Sequence, residues 1–301
     1  MRSTTTMSLV LLLAAALLIG IGITPSESGR RALYINPNVT SVNVTDDQVW
    51  ELLQRTRFPD ELWLFSLKVD GNGTLKPRNH SDFPSRVHRL HPSTTVLTAI
   101  GFDSRAYPLN DTTRVATLTA TIADFVRAHQ YDGIVLDMEP LQSGDPAYLA
   151  FIRDVKAALP GKRIGVYGFR LVETGSWYNW DAAYLTQIAH DADFVQLALY
   201  NTRTLAQAPD GTYSAATYQT WIRNKTTTTD LLGITDKIYW GMPAYKGSAA
   251  HIIAIENIGV AGPLLYNRHT AIYNEAYMTE ADYDLYDAFL THTLPPPVET
   301  S

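Results

Sequence analysis

Short runs of β-branched and aromatic residues recur along the chain and alternate with amphipathic stretches. Eight such runs begin near Ala32 (ALYIN), Leu62 (LWLFSLKV), Val96 (VLTAIG), Gly133 (GIVLDME), Arg163 (RIGVYGF), Asp193 (DFVQLALY), Lys237 (KIYWGMPAY) and Gly262 (GPLLY). Their mean spacing of about 33 residues is the length of one βα unit. Helical periodicity fills most of the gaps. Val49, Leu52 and Leu53 follow Asp46, while Val115, Leu118, Ile122, Phe125 and Val126 follow Asp111 on one helical face. Asp145-Pro146 reads as a cap with a first-turn proline opening a helix that buries Leu149, Ile152, Val155 and Leu159, and Pro160-Gly161 stops it. Tyr184, Leu185 and Ile188 form the next stripe, and a last helix is predicted from about Thr279 to His292.

Eight βα repeats predict an α/β fold, a closed (β/α)8 TIM barrel in a single domain over residues 29–293, with a Pro-rich tail at 294–301. An open doubly wound sheet would need a glycine-rich phosphate turn after an early strand, and neither GxGxxG nor GxxxxGK[ST] is present.

With 46% apolar and 18% charged residues, the chain is globular rather than disordered. The balance of 24 basic against 30 acidic side chains, with no block of like charge, argues against a nucleic-acid partner. The N-terminus has a different character: Arg2 precedes an uncharged run from Met7 to Ile23, and Thr24-Pro25-Ser26-Glu27-Ser28 follows. This is the layout of an export signal, expected to end at residue 28. The expectation is a secreted, extracellular protein; left uncleaved, the apolar run would be a membrane anchor at the cell surface. Six Asn-X-Ser/Thr sequons, at Asn38, Asn43, Asn72, Asn79, Asn110 and Asn224, fit a glycoprotein. There is no cysteine, so neither disulfides nor thiolate metal ligands contribute, and a monomer held by its core alone is expected.

Candidate chemistry concentrates in Tyr131-Asp132-Gly133-Ile134-Val135-Leu136-Asp137-Met138-Glu139-Pro140. If residues 133–139 form the fourth strand, period 2 turns Ile134, Leu136 and Met138 outward and Val135, Asp137 and Glu139 toward the barrel axis. Two carboxylates then stand one pleat apart at the C-terminal end, where barrel enzymes keep their active sites. Each raises the other's cost of ionisation, so one stays protonated near neutrality and can serve as an acid. Glu139, nearer the mouth, is the better acid. The competing structural role is that one of the two caps the next helix or pairs with Arg153. Asp132 reads as a turn residue beside Gly133.

This segment resembles the DGxDxDxE signature of family-18 glycoside hydrolases, the chitinases and endo-β-N-acetylglucosaminidases, through Asp132, Gly133, Asp137 and Glu139. Phe65 to Leu75 is similar to that family's second strand and turn, and Ala99-Ile100-Gly101-Phe102 to its third-strand SxGG. Ala198-Leu199-Tyr200-Asn201 resembles the sixth-strand MxYD, and Gly241-Met242-Pro243-Ala244-Tyr245 the seventh-strand GxPxY. The resemblance implies a retaining mechanism in which the sugar's own 2-acetamido oxygen attacks the anomeric carbon. Glu139 would be general acid and then base, and Asp137 would orient the acetamido group. Tyr200, with Asn201 and Gln196, would hydrogen-bond the same group. Tyr245 joins the substrate-binding set from the seventh-strand motif. The partner implied is an oligo- or polysaccharide containing N-acetylglucosamine, with no cofactor.

Departures from the pattern are specific. Val135 replaces the middle aspartate, which in the family exchanges a proton with the position matching Asp137. Asn201 stands where aspartate is usual, Met138 and Pro140 depart from the WEY ending, and Tyr266 is read at the eighth-strand position where a tryptophan normally floors the −1 sugar. These departures motivate the alternative of a catalytically inactive, carbohydrate-binding barrel. The loop Ser176-Trp177-Tyr178-Asn179-Trp180 is expected on the active-site side, with Trp177 and Trp180 as stacking candidates. Trp50, Trp63 and Trp221 read as core, and His88 and His91 as surface. Eight histidines without ligand spacing predict no metal site. Asp103, just beyond the third strand, is a weaker candidate for the cleft wall.

Overall fold

The computed structural model describes residues 29–35, 46–55, 59–77, 82–173, 175, 179–200, 202, 210–244, 256–273 and 280–295. The expected export segment, residues 1–28, and most of the expected tail lie outside the described residues. No helix among the described residues is long and apolar enough to cross a membrane. The sequon residues Asn72, Asn110 and Asn224 are exposed, whereas Asn38, Asn43 and Asn79 lie outside the described residues.

Eight parallel strands close on themselves: β1 (Arg31–Ile35), β2 (Glu61–Val69), β4 (Thr95–Phe102), β5 (Gly133–Met138), β6 (Arg163–Gly168), β9 (Phe194–Ala198), β10 (Ile238–Pro243) and β11 (Thr270–Tyr273). Each pairs with its neighbour in sequence, and β1 pairs with both β2 and β11, so the sheet has no open edge within the barrel. A short β3 (Leu75–Pro77) folds back antiparallel on β2. β7 (Arg170–Leu171) and β8 (Asn179–Trp180) form a separate two-stranded piece beyond β6. The fold is a single-domain (β/α)8 barrel.

Helices α1 (Asp46–Arg55), α2 (Phe83–Leu90), α3 (Thr112–Ala128), α4 (Pro146–Ala158), α5 (Ala182–Asp191), α6 (Ala215–Leu231), α7 (Ile258–Ala261) and α8 (Glu280–Leu290) surround the barrel. The cap read at Asp145 is formed, and Asp111 caps α3 as well. Asp111 accepts from the backbone N–H groups of Thr113 and Arg114 at 3.1 Å, and Asp145 from that of Ala147 at 2.9 Å. Seven of the eight predicted strands lie where the hydrophobic runs fall. The eighth differs. Asn257 caps α7, and Gly262–Leu264 continues it as a 3-10 turn, because Pro263 has no N–H to give a strand ladder. The last strand is instead Thr270–Tyr273, just four residues long.

Barrel filling explains why small and large inward residues alternate. Trp63 stacks on Phe194 with ring centroids 5.0 Å apart, and Tyr239 tilts against Trp63 at 5.3 Å. A Cβ at Gly165 would lie 2.1 Å from the Phe194 ring, so only glycine fits opposite it. Beneath these rings the N-terminal end of the barrel holds one buried carboxylate, Glu61. It receives Trp63 Nε1 at 3.0 Å and the Tyr239 hydroxyl at 2.6 Å, and it pairs with Arg30 at 2.9 Å and with Arg163. This plug closes the end of the barrel opposite the paired acids of β5.

Candidate active site

Register puts Asp137 opposite Gly101 at the end of β5, and the ladder continues one residue further through Glu139 N–H to the carbonyl of Phe102 at 3.0 Å. Leu136 and Met138 are buried on the helix side, as period 2 requires, so Val135, Asp137 and Glu139 share the inward row. Val135 is fully buried, Asp137 is half-buried, and Glu139 is exposed at the mouth. Neither acid takes the structural role that competes with catalysis. Arg153 pairs with Asp191 at 2.8 Å, and Asp145 caps α4.

The Tyr34 hydroxyl donates to Asp137 Oδ2 at 3.1 Å, while Oδ1 is sealed from solvent and has no hydrogen-bond partner among the described residues. Burial, and then the neighbouring Glu139 charge, hold the Asp137 carboxyl well above the ordinary carboxylate range, against the Tyr34 hydrogen bond, which lowers it. Burial also raises Glu139, which reaches water but is crowded by the barrel rim. The two acids behave as a pair that keeps one proton beyond the pH at which free carboxyls lose theirs.

This arrangement has a sign that can be checked. A carboxyl whose folded pKa is raised binds its proton more tightly in the native state, so ionising it erodes stability as pH rises above the unfolded value, about 3.9. Asp137→Asn removes that group. At pH 7 the variant is expected to melt a few degrees above the wild type, with the gap closing by about pH 4. Thermal melts across that range check this, and a variant less stable at pH 7 would contradict it.

Opposite the acids stands a set of tyrosines. Tyr200 is buried beyond the end of β9; its hydroxyl donates to the Tyr167 hydroxyl at 3.2 Å and receives Gln196 Nε2 at 3.4 Å. Gln196 is buried on the inward side of β9, with Oε1 unpartnered among the described residues. Tyr273, ending β11, stacks on Tyr34 and on Tyr200, each at 5.0 Å. Burial and the two nearby acids raise the Tyr167 hydroxyl well above its usual value, which keeps it a neutral donor. Thr202, two residues past Tyr200, donates from its backbone N–H at 2.9 Å and from its hydroxyl to the buried carboxylate of Glu256, tying the end of β9 to the segment before α7.

The structure therefore brings together Asp137, Glu139, Tyr200 and Gln196 from the predicted set. Asn201, Tyr245 and Trp177 lie outside the described residues. Two candidates are corrected. Tyr266 precedes β11 at the opposite end of the barrel, stacked on Phe289 at 5.6 Å and His292 at 4.4 Å, and its carbonyl accepts from Arg31. The eighth strand starts after it, and Tyr273 holds the strand-end position instead. Trp180 is fully buried, edge-on to Phe169 and Tyr184, so it is core and presents no face to a sugar. Asp103 is taken up by Arg105 at 2.9 Å, which holds its carboxyl down at about 2. Asp132 bolts the entry of β5 by accepting from Val96 N–H at 2.8 Å and pairing at 2.8 Å with His88, which is half-buried rather than a free surface residue.

Tyr34, Tyr167 and Tyr273 were missed by sequence reasoning. The usable signal was parity: Tyr34 and Tyr167 lie on the inward-facing alternation of runs already recognised as strands. No group of three or more His, Cys, Asp or Glu suited to a metal ion occurs among the described residues.

A closed eight-stranded barrel with two carboxyls at its C-terminal mouth, neither paired with a basic side chain among the described residues, has the architecture of a (β/α)8 glycoside hydrolase. The chain belongs to glycosyl hydrolases family 18, whose family model matches residues 41–276. Among solved structures it is similar to a chitinase from Chromobacterium violaceum ATCC 12472, with 15% identity, a TM-score of 0.64, and coverage of 87% of this chain and 99% of that one. It is also similar to the C-terminal domain of a putative chitinase from Desulfitobacterium hafniense DCB-2, with 14% identity, a TM-score of 0.68, and coverage of 89% and 100%. The Bacillus cereus spore cortex-lytic enzyme SleL matches with 13% identity and a TM-score of 0.61, over 90% of this chain and 75% of that one. No curated protein sequence matches the chain. Against its family, Val135 stands in place of the middle acid of the β5 signature.

Proposed function

We propose that this protein hydrolyses glycans containing N-acetylglucosamine, chitin-like or of the N-glycan core, with retention at the anomeric carbon. The observation that carries this reading is the Asp137/Glu139 pair, without a basic partner among the described residues, on the same side of the barrel as Tyr200 and Gln196, to which Tyr167 links it. Glu139 protonates the glycosidic oxygen as that bond breaks, while the acetamido oxygen of the sugar bonds to the anomeric carbon. The resulting oxazolinium is opened by water, whose proton returns to Glu139. Asp137, half-buried at the mouth and with Oδ1 unpartnered among the described residues, has acceptor capacity left for the acetamido N–H. That hydrogen bond favours ionised Asp137 and so leaves the pair's proton for Glu139. Tyr200 and Gln196 would supply polar contacts to the same acetamido group. Export belongs to this reading, supported by the apolar N-terminal run and three exposed sequons.

A second reading, a sugar-binding barrel without turnover, is favoured by one observation. Val135 removes the acid with which Asp137 would exchange a proton. Product release from chito-oligosaccharides, a high-mannose glycoprotein and peptidoglycan separates the two. Cleavage of any one of them is the expected result. Saturable binding with no product would establish the binding barrel, and the absence of both would defeat the two readings together.

A further inference from the structure

Asp137 is the most demanding group in the site, and the barrel gives it few partners. Below it on the inward row stands Val135, buried between Ala99 of β4 and Gly165 of β6 in register. No second acid therefore lies below Asp137 on the inward row of its own strand. Among the described residues, its side-chain hydrogen bond comes from across the barrel, from Tyr34 on β1 at 3.1 Å. Tyr34 is itself fully buried. Trp63 and Phe65 meet its ring edge-on at 6.2 and 6.3 Å, and Tyr273 stacks on it at 5.0 Å. A ring so packed holds its hydroxyl at one point.

We propose that Tyr34 is a positioning residue that stands in for the absent middle acid: its hydroxyl fixes the Asp137 carboxylate and favours its ionised form, so that the proton shared by the pair rests on Glu139. The proposal deepens the reading of Glu139 as general acid and rests on it. A hydrogen bond to a charged acceptor is stronger than one to a neutral acceptor, so a donor aimed at Asp137 favours its charge. Burial keeps Tyr34 protonated far beyond working pH, so it donates without exchanging its proton. The other groups facing Asp137 are Glu139 beside it, Tyr148 from α4 and Tyr167 from β6, with Tyr200 and Tyr273 behind them. Tyr148 donates to the carbonyl of Leu136, and burial holds both Tyr148 and Tyr167 in the neutral form. Of the groups facing Asp137, Glu139 is the one that trades a proton with it.

The test is Tyr34→Phe, which keeps the ring and removes the hydroxyl, read by kinetics on a cleaved chito-oligosaccharide across pH and by carboxyl-carbon NMR titration of Asp137 and Glu139. The expected result is a kcat lower by roughly ten- to a hundredfold, the span of one charge-assisted hydrogen bond, with KM little changed. The Asp137 titration moves up, and the alkaline limb of the rate profile moves with it. A purely structural role would lower the melting temperature and leave both titrations in place. Unmoved titrations overturn the proposal. Should the wild type cleave no glycan, the acid/base reading of Glu139 fails by itself, while the titrations still report whether Tyr34 sets the state of Asp137.

Discussion

Glu139→Gln is expected to lower kcat on any glycan this protein cleaves by about 10²- to 10⁴-fold, the usual worth of a positioned general acid, while leaving affinity nearly unchanged and the melting temperature at pH 7 no lower than the wild type's. The substitution keeps size and shape and removes the proton that can be donated. It should not disturb the fold, because Glu139 is exposed at the mouth and its structural bond runs through the backbone N–H to Phe102, which glutamine retains. Glutamine also relieves the repulsion that Asp137 feels from a neighbouring charge, so Asp137 should titrate closer to the ordinary range in the variant. Initial rates at saturating substrate, with calorimetric binding of the same oligosaccharide, check both parts. An unchanged rate would remove Glu139 from the chemistry, and lost binding would make it a ligand contact rather than an acid.

The second large effect concerns the opposite end of the barrel. Glu61→Ala is expected to destabilise the fold by about 3–5 kcal/mol, because removing one member of a buried ion pair strands the other. Arg163 would keep its charge beneath the Phe194 ring with its carboxylate gone, and the Tyr239 hydroxyl and Trp63 indole N–H would lose a shared acceptor. In a domain of this size that loss corresponds to a fall in Tm on the order of 10 °C. Glu61→Gln, which keeps an acceptor oxygen, should lose less. Thermal and urea unfolding of the two variants decide the matter. A loss below about 1 kcal/mol in Glu61→Ala would mean that water entering past Arg30, which is partly exposed, takes over the stranded donors.

The two variants probe ends of the barrel that differ in how far they could be read from the chain. Asp137 and Glu139 were legible as an inward pair because both lie in one strand, and strand parity is a local property. The cap at Asp145 was legible for the same reason, since a cap involves residues two or three apart. Glu61 was not singled out. Its four partners come from Arg30, Trp63, Arg163 and Tyr239, and nothing local ties these together.

The misreadings follow the same division. GPLLY has the composition of a strand, yet Asn257 caps a helix that runs into it, and the four residues of β11 carry too short a pattern to outweigh it. Trp180 stands beside polar residues in the chain and reads as a loop platform, but β8 and α5 fold it under Phe169 and Tyr184. Burial of a side chain near a turn depends on what packs over it.

The sequence by itself determined the barrel class, the strand order, the Asp145 cap and the placement of two acids on the inward row of β5, because each is written in spacings of two to four residues or in the regular repeat of βα units. Only the tertiary structure decided that Tyr34 from the first barrel strand, Tyr167 from the fifth and Tyr273 from the last would join Tyr200 around those acids. Closing the sheet brings β1 beside β11 and sets how far each strand is staggered along the axis. That stagger chooses which inward side chains share a layer, and it is fixed by the packing of the whole barrel rather than by any one of its segments.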